Sequence, residues 1–152
     1  MKAADVMSSP VITLRPDTPV WAAAALLVSH GFTAAPVVDA DRRVIGIATE
    51  ADLARNRIRP EGWPAPEERI EPTVARVMTG TPMSMRPEDD LADVVSLMLD
   101  GRIRSVPIVD DGVLVGIVSR RDVLRVLARR ELTSGQVGRH RAGLPDHDRA
   151  EP

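Results

Sequence analysis

The sequence predicts an α+β fold made of two pseudo-twofold-related repeats, each running strand, helix, strand, strand, helix, packed into one compact module. Three observations carry that prediction. The ten residues from Gly46, GIATEADLAR, recur as GIVSRRDVLR from Gly116, and both strings end in an apolar pair and an Arg. Earlier landmarks recur at an offset of 71: Val6-Met7 as Val77-Met78, Arg15-Pro16 as Arg86-Pro87, and Pro36-Val37-Val38-Asp39 as Pro107-Ile108-Val109-Asp110. Within each copy, strand-like and helix-like apolar periods follow one another in the same order. The chain is therefore divided into domains at residues 4–57 and 75–130, with a connector at 58–74 and a tail at 131–152.

Val11-Ile12-Thr13-Leu14 is β-branched and apolar between prolines, and reads as a short strand. Asp17-Thr18-Pro19 offers an N-cap followed by proline at the first helical position, opening a helix over Val20–His30 that Gly31 closes. In the second copy Asp89 or Asp90 caps, Leu91 to Asp100 is helical, and Gly101 closes. Pro36 to Asp39 is a buried strand, Ala40 to Arg43 a turn, and Val44 to Ala48 a second strand. Asp110-Asp111-Gly112 is a tighter hairpin turn in the counterpart. Helices over Thr49–Arg57 and Ser119–Arg130 end the copies.

One copy of about 50 residues is too small to bury a convincing core alone. The small residues Ala22 to Ala25 would let the first helix approach a neighbour closely. Joining the copies solves the burial problem and creates two equivalent clefts. Arg59 to Thr73 is rich in proline and acid and reads as the connector. Its Trp63 reads as packing that pins the connector down, with a partner or dimer contact as the sharper alternative. The stretch after Glu131 loses apolar periodicity and reads as a disordered tail.

Composition excludes several classes. The formal charge is −2 with basic residues scattered among acidic ones, and there is no Tyr, one Phe and two Trp. Neither a phosphate-tracking patch nor a base-stacking platform follows, so no nucleic-acid partner is expected. Cysteine is absent, which removes disulfides, thiol catalysis and zinc-thiolate sites. The opening MKAADVMSSPVITLRP lacks a signal-peptide core and Val20 to Val28 is too short to span a bilayer, so a cytoplasmic protein without membrane association is expected.

The doubled motif has two readings that share one geometry. Thr49-x-x-Asp52 and Ser119-x-x-Asp122 fit a capping box, which satisfies the first N–H groups of a helix without any ligand. The same strand-to-helix junction presents backbone N–H groups and the positive end of the helix dipole, which favour phosphate. An Asp there would repel phosphate but accept two hydrogen bonds from a ribose diol. The second copy adds Arg120 and Arg121 inside the motif, and Arg104 where the first copy has Thr33. Each Arg alone reads as a solvated charge; three in one candidate cleft suit phosphate recognition.

Taken jointly and in register, these landmarks resemble a pair of CBS domains, over about residues 4 to 130. The resemblance implies a homodimer-forming module that needs no cofactor and binds adenosyl ligands such as AMP, ADP, ATP or S-adenosylmethionine. It implies ribose contacts for Asp52 and Asp122, and phosphate or ribose contacts for Thr49 and Ser119. Val11-Ile12 and Met83-Ser84 would form the adenine pockets, and Arg104 would meet phosphate beside Arg120 and Arg121. The first copy departs from the pattern: Thr33 and Ala34 replace basic residues and Glu50 adds an acid, so a polyphosphate is not expected there.

No catalytic or metal site is expected. The chain lacks a Gly-rich phosphate loop, a His-Glu-x-x-His and a Gly-x-Ser-x-Gly, and His30 reads as a helix-end residue favoured by the dipole. The expected function is a regulatory adenosyl-binding module acting through an unidentified effector protein or through oligomer state. The alternative is an interaction scaffold that keeps the fold and the caps but binds no nucleotide.

Overall fold

The computed structural model describes residues 1–55, 61–62, 71–80 and 82–129; Trp63 and the tail from 131 lie outside the described residues. In chain order the elements are α1 (Ala3–Val6), α2 (Val20–His30), β1 (Ala34–Val38), β2 (Val44–Thr49), α3 (Glu50–Ala54), α4 (Val74–Val77), β3 (Thr79–Gly80), α5 (Leu91–Gly101), β4 (Ser105–Asp110), β5 (Val113–Ser119) and α6 (Arg120–Ala128). The fold is α+β. The chain forms two compact units, one of Ile12–Pro82 and one joining Met1–Val11 to the chain from Met83 onward.

In the Ile12–Pro82 unit, β1 and β2 pair antiparallel with Ala34 opposite Thr49, and β3 adds to the far edge of β2. On α2, Val20, Ala23 and Leu27 recur at helical spacing and bury against Val37, Ala48 and Val74. The helix stops at Gly31, whose φ of 66° places it in the left-handed region that glycine enters without strain. Its start differs from expectation. Pro19 is the N-cap, not the first helical residue, and the Thr18 hydroxyl instead accepts the Arg15 N–H at 3.1 Å.

The Met83 unit pairs β4 with β5 antiparallel, Ser105 opposite Ser119. Both β1 and β4 carry an irregularity at the same repeat position, between Val37 and Val38 and between Ile108 and Val109. Asp111 and Gly112 both take positive φ, 49° and 80°, the twist that a two-residue hairpin requires. Asp90 caps α5 by accepting the Ala92 N–H at 2.9 Å. Here too the closing residue shifts: Gly101 is the last helical residue, and Arg102 takes the left-handed position with φ 52°.

The expected opening strands are extended segments held at a single residue each. Leu14 bridges Val37 and Met85 bridges Ile108, both in parallel sense. Prolines crowd both segments and remove the donors that a longer ladder would need.

Each unit completes its core with the opening segment of the other repeat. Val74 and Ala75 donate to the carbonyls of Thr18 and Pro16 at 2.8 and 3.0 Å, while Ala3 and Ala4 donate to those of Asp89 and Pro87 at 2.8 and 2.9 Å. Ser8 exchanges both backbone hydrogen bonds with Ile117 in β5. The two glycines of the repeated string explain the trade. A Cβ on Gly116 would run into the side chain of Met7, and one on Gly46 would lie 2.5 Å from Met78 Sδ. The Val-Met landmark of each copy therefore packs on the glycine of the other. Among the described residues no helix is long and apolar enough to cross a membrane.

Candidate functional site

In both units a strand ends in a hydroxyl residue that is also the N-cap of the next helix. Thr49 Oγ1 accepts the Asp52 N–H at 3.1 Å, and the Thr49 N–H donates to Asp52 Oδ2 at 3.0 Å. Ser119 Oγ accepts the Asp122 N–H at 3.3 Å, and the Ser119 N–H donates to Asp122 Oδ2 at 2.8 Å. The reciprocal capping box is thus present twice. It fixes two carboxylates that are 7% and 3% exposed for Asp52 and Asp122, at the positive end of a helix.

The sheets bring other predicted residues to the same end. The Glu50 N–H donates to the Thr33 carbonyl at 2.9 Å, and the Arg120 N–H to the Arg104 carbonyl at 3.0 Å. Residues 33 and 104 are therefore anchored beside their caps. Met85 exchanges backbone hydrogen bonds with Pro107 and Val109, so the chain leading back through Ser84 to the exposed Met83 runs alongside β4 toward its beginning at Ser105. Met83, Ser84, Arg104, Ser119, Arg120, Arg121 and Asp122 all belong to the Met83 unit. Ile12 belongs to the unit of Thr49 and Asp52, whereas Val11 ends the first segment of the other, so the division of the chain falls between two residues expected to act as one wall.

Charge is unequal between the two ends. Arg104, Arg120 and Arg121 are exposed and make no ion pair among the described residues, while Thr33, Glu50 and Ala51 hold the matching positions in the other unit. The carboxylates also differ. Asp122 Oδ2 takes a second donor, Ser119 Oγ at 3.0 Å, while Oδ1 takes Ser8 Oγ at 3.3 Å and Arg125 Nη1 at 3.0 Å. Among the described residues Asp52 Oδ1 has only Arg55 Nη2, at 4.0 Å. Sequence reasoning did not select Ser8 or Arg125. The signal was the Arg that ends both repeated strings, three residues after the Asp.

A depression of about 450 Å³ lies at the hairpin end of β4 and β5, against Arg86, Glu88, Asp110 and Asp111. It shares only Ser84 with the predicted site, and the hairpin end is opposite to the caps. We take the caps as the candidate site because there the buried acids and the backbone donors coincide. His30 closes α2, its Nδ1 2.9 Å from the Leu26 carbonyl and its ring stacked on Phe32, which accounts for it structurally. Among the described residues no cluster of His, Asp and Glu could hold a metal ion.

The sequence profile of the CBS domain matches residues 3–59 and 74–129. The CBS domain-containing protein YhcV of Bacillus subtilis is 34% identical over 119 residues, which cover 78% of this chain and 80% of that protein. Against inosine-5'-monophosphate dehydrogenase of Methanocaldococcus jannaschii the identity is 30%, but the matched region spans only 23% of that larger protein. Among solved structures, the CBS domain pair of protein MJ0100 in complex with 5-methylthioadenosine and S-adenosyl-L-methionine has a TM-score of 0.73 at 26% identity, covering 86% of this chain and 98% of that one. CBSX2 of Arabidopsis thaliana in complex with AMP has a TM-score of 0.71 at 26% identity, with the same coverage.

Proposed function

The chain belongs to the CBS-domain family, and on that premise we propose that it is a regulatory module that binds an adenosyl compound and acts through a partner or its own oligomer state. The observation that carries this reading is the buried carboxylate fixed by a reciprocal cap at the end of each sheet, in a fold whose relatives include complexes with AMP and with S-adenosyl-L-methionine. Asp52 and Asp122 would accept the ribose diol. Thr49 and Ser119 would turn their hydroxyls between cap and ligand, since a hydroxyl can accept and donate at once. Arg104, Arg120 and Arg121 would meet phosphate, and Val11, Ile12, Met83 and Ser84 would flank the base. The first copy, with Glu50 in its motif, suits a nucleoside-like ligand better than a polyphosphate.

We place the two domains at residues 4–57 and 75–130, joined through 58–74. The module would act as a homodimer, and the exposed Trp21 and Val28 on one flank of α2, 64% and 81% accessible, supply apolar surface for such a contact. Calorimetric titration with AMP, ADP, ATP and S-adenosylmethionine tests the reading. Micromolar binding of any of them supports it, and Asp52→Asn or Asp122→Asn should then weaken binding at its own site by roughly 10- to 150-fold, the worth of a charged hydrogen bond of about 1.5–3 kcal/mol. The scaffold reading draws on one observation: the carboxylate of Asp122 is already satisfied from within. Absence of heat with all four ligands at millimolar concentration would favour it.

A further inference from the structure

We infer that Arg125, assisted by Ser8, holds the second-copy site shut against a diol, so that a ligand binds there only when Arg125 releases Asp122. The inference rests on the adenosyl-binding reading above. A carboxylate offers about four acceptor positions. Asp122 spends two on Oδ2, which faces back into the cap and takes the Ser119 N–H and hydroxyl at 2.8 and 3.0 Å. Only Oδ1 is left to face a ligand, and it holds Ser8 Oγ at 3.3 Å and Arg125 Nη1 at 3.0 Å. A diol must displace at least one of them. Ser8 cannot withdraw as a residue, because both of its backbone groups are tied to β5, so its hydroxyl can only rotate within the site. Arg125 is the easier to move, because its side chain is 58% exposed and can turn into solvent.

The first copy lacks this lock although it keeps the same residue pair. Arg55 stands three residues after Asp52 but its nearest nitrogen is 4.0 Å away, and among the described residues no hydroxyl donates to Asp52 Oδ1. The repeated string thus encodes one acid with its own counter-ion twice, engaged in one copy and slack in the other. The more basic site is the one held closed.

The test uses the full chain carrying Asp52→Asn, so that the heat of AMP titration comes from the second site. Arg125→Ala should tighten AMP about two- to fivefold, the scale of an exposed ion pair. Arg125→Gln, which keeps the side-chain stem, should do the same, and adding Ser8→Ala should tighten it further. Arg121→Ala removes an equal charge from the preceding turn of the same helix and should weaken AMP, so net charge alone does not imitate the effect. The gain should fade as salt is raised from about 0.05 to about 0.5 M, where such a pair is screened. If the Asp52→Asn parent binds AMP and both Arg125 variants bind it equally or more weakly, the lock is refuted while the adenosyl reading stands. If neither the natural chain nor any variant binds AMP or S-adenosylmethionine at millimolar concentration, both fall together.

Discussion

Alanine at Gly116 probes the contact that joins the repeats' landmarks. Its Cβ would meet Met7 Cγ at 2.7 Å and Met7 Cβ at 3.0 Å, with Met7 Sδ nearer still. All three are side-chain atoms, so the strain falls on one residue. Forcing a methyl into a packed site costs about 1–3 kcal/mol, and three close atoms place Gly116→Ala at about 2–3 kcal/mol. Met7→Ala alone, on a half-buried methionine, should cost about 1–2 kcal/mol, below the range for a fully buried one. In the double variant the added methyl occupies space that the thioether vacates. The total should therefore be about 2 kcal/mol, a coupling of about 1–3 kcal/mol between the sites. At about 2–4 °C per kcal/mol for a chain of this size, Gly116→Ala melts about 4–12 °C low and the double variant recovers part of the loss. Circular dichroism melts of the four proteins, repeated in urea, measure the cycle. Gly46 with Met78 is the internal comparison. There the Cβ also meets the Thr79 carbonyl at 3.0 Å, and backbone does not yield, so Met78→Ala should rescue less. Costs at Gly116 and Met7 that add to within about 0.5 kcal/mol would refute the packing account.

Other substitutions test the caps and helix ends. Thr49→Ala should lower stability by about 1 kcal/mol in a thermal melt, and Ser119→Ala by more, because its hydroxyl also donates to the buried Asp122. Arg102→Gly should raise stability by about 0.5–1 kcal/mol, since Arg102 sits at a left-handed φ of 52° that glycine adopts freely. Gly101→Ala should add a similar amount, because the atoms nearest the new Cβ belong to Ile103 and lie at ordinary contact distances of 3.8–3.9 Å. A loss in either variant would show that the end of α5 is set by something other than backbone preference. Asp52→Asn should leave the ligand-free melting temperature within about 2 °C, since asparagine keeps an oxygen for the Thr49 N–H; a larger drop would make the charge structural.

What could be read from the sequence was local. Proline, glycine and hydroxyl residues state their roles to near neighbours, so α2 with Gly31, the Asp111-Gly112 turn and both capping boxes follow from short strings. Helices α1 and α4 were missed because four residues complete barely one turn, too few for a period to register. The left-handed residue after α5 was placed one position early because glycine is only the favoured occupant there, and Arg102 takes the strain. At the candidate site the acids and their caps were legible, whereas Ser8 and Asp122 stand 114 positions apart and nothing local links them. The repeat itself concealed the exchange of opening segments. Identical landmarks cannot say whether Met7 belongs with Gly46 or with Gly116.

That exchange bears on how such a chain can be divided. A polypeptide holding one copy alone would carry an arm with no sheet to receive it, and a sheet whose glycine groove has no methionine to fill it. It could finish its core only by trading arms with a twin. Two copies in one chain are such a reciprocal pair written as a single polypeptide, with the partner supplied at fixed stoichiometry. Cutting the chain between residues 62 and 71 would not separate the two repeats, since each would still hold the other by its arm.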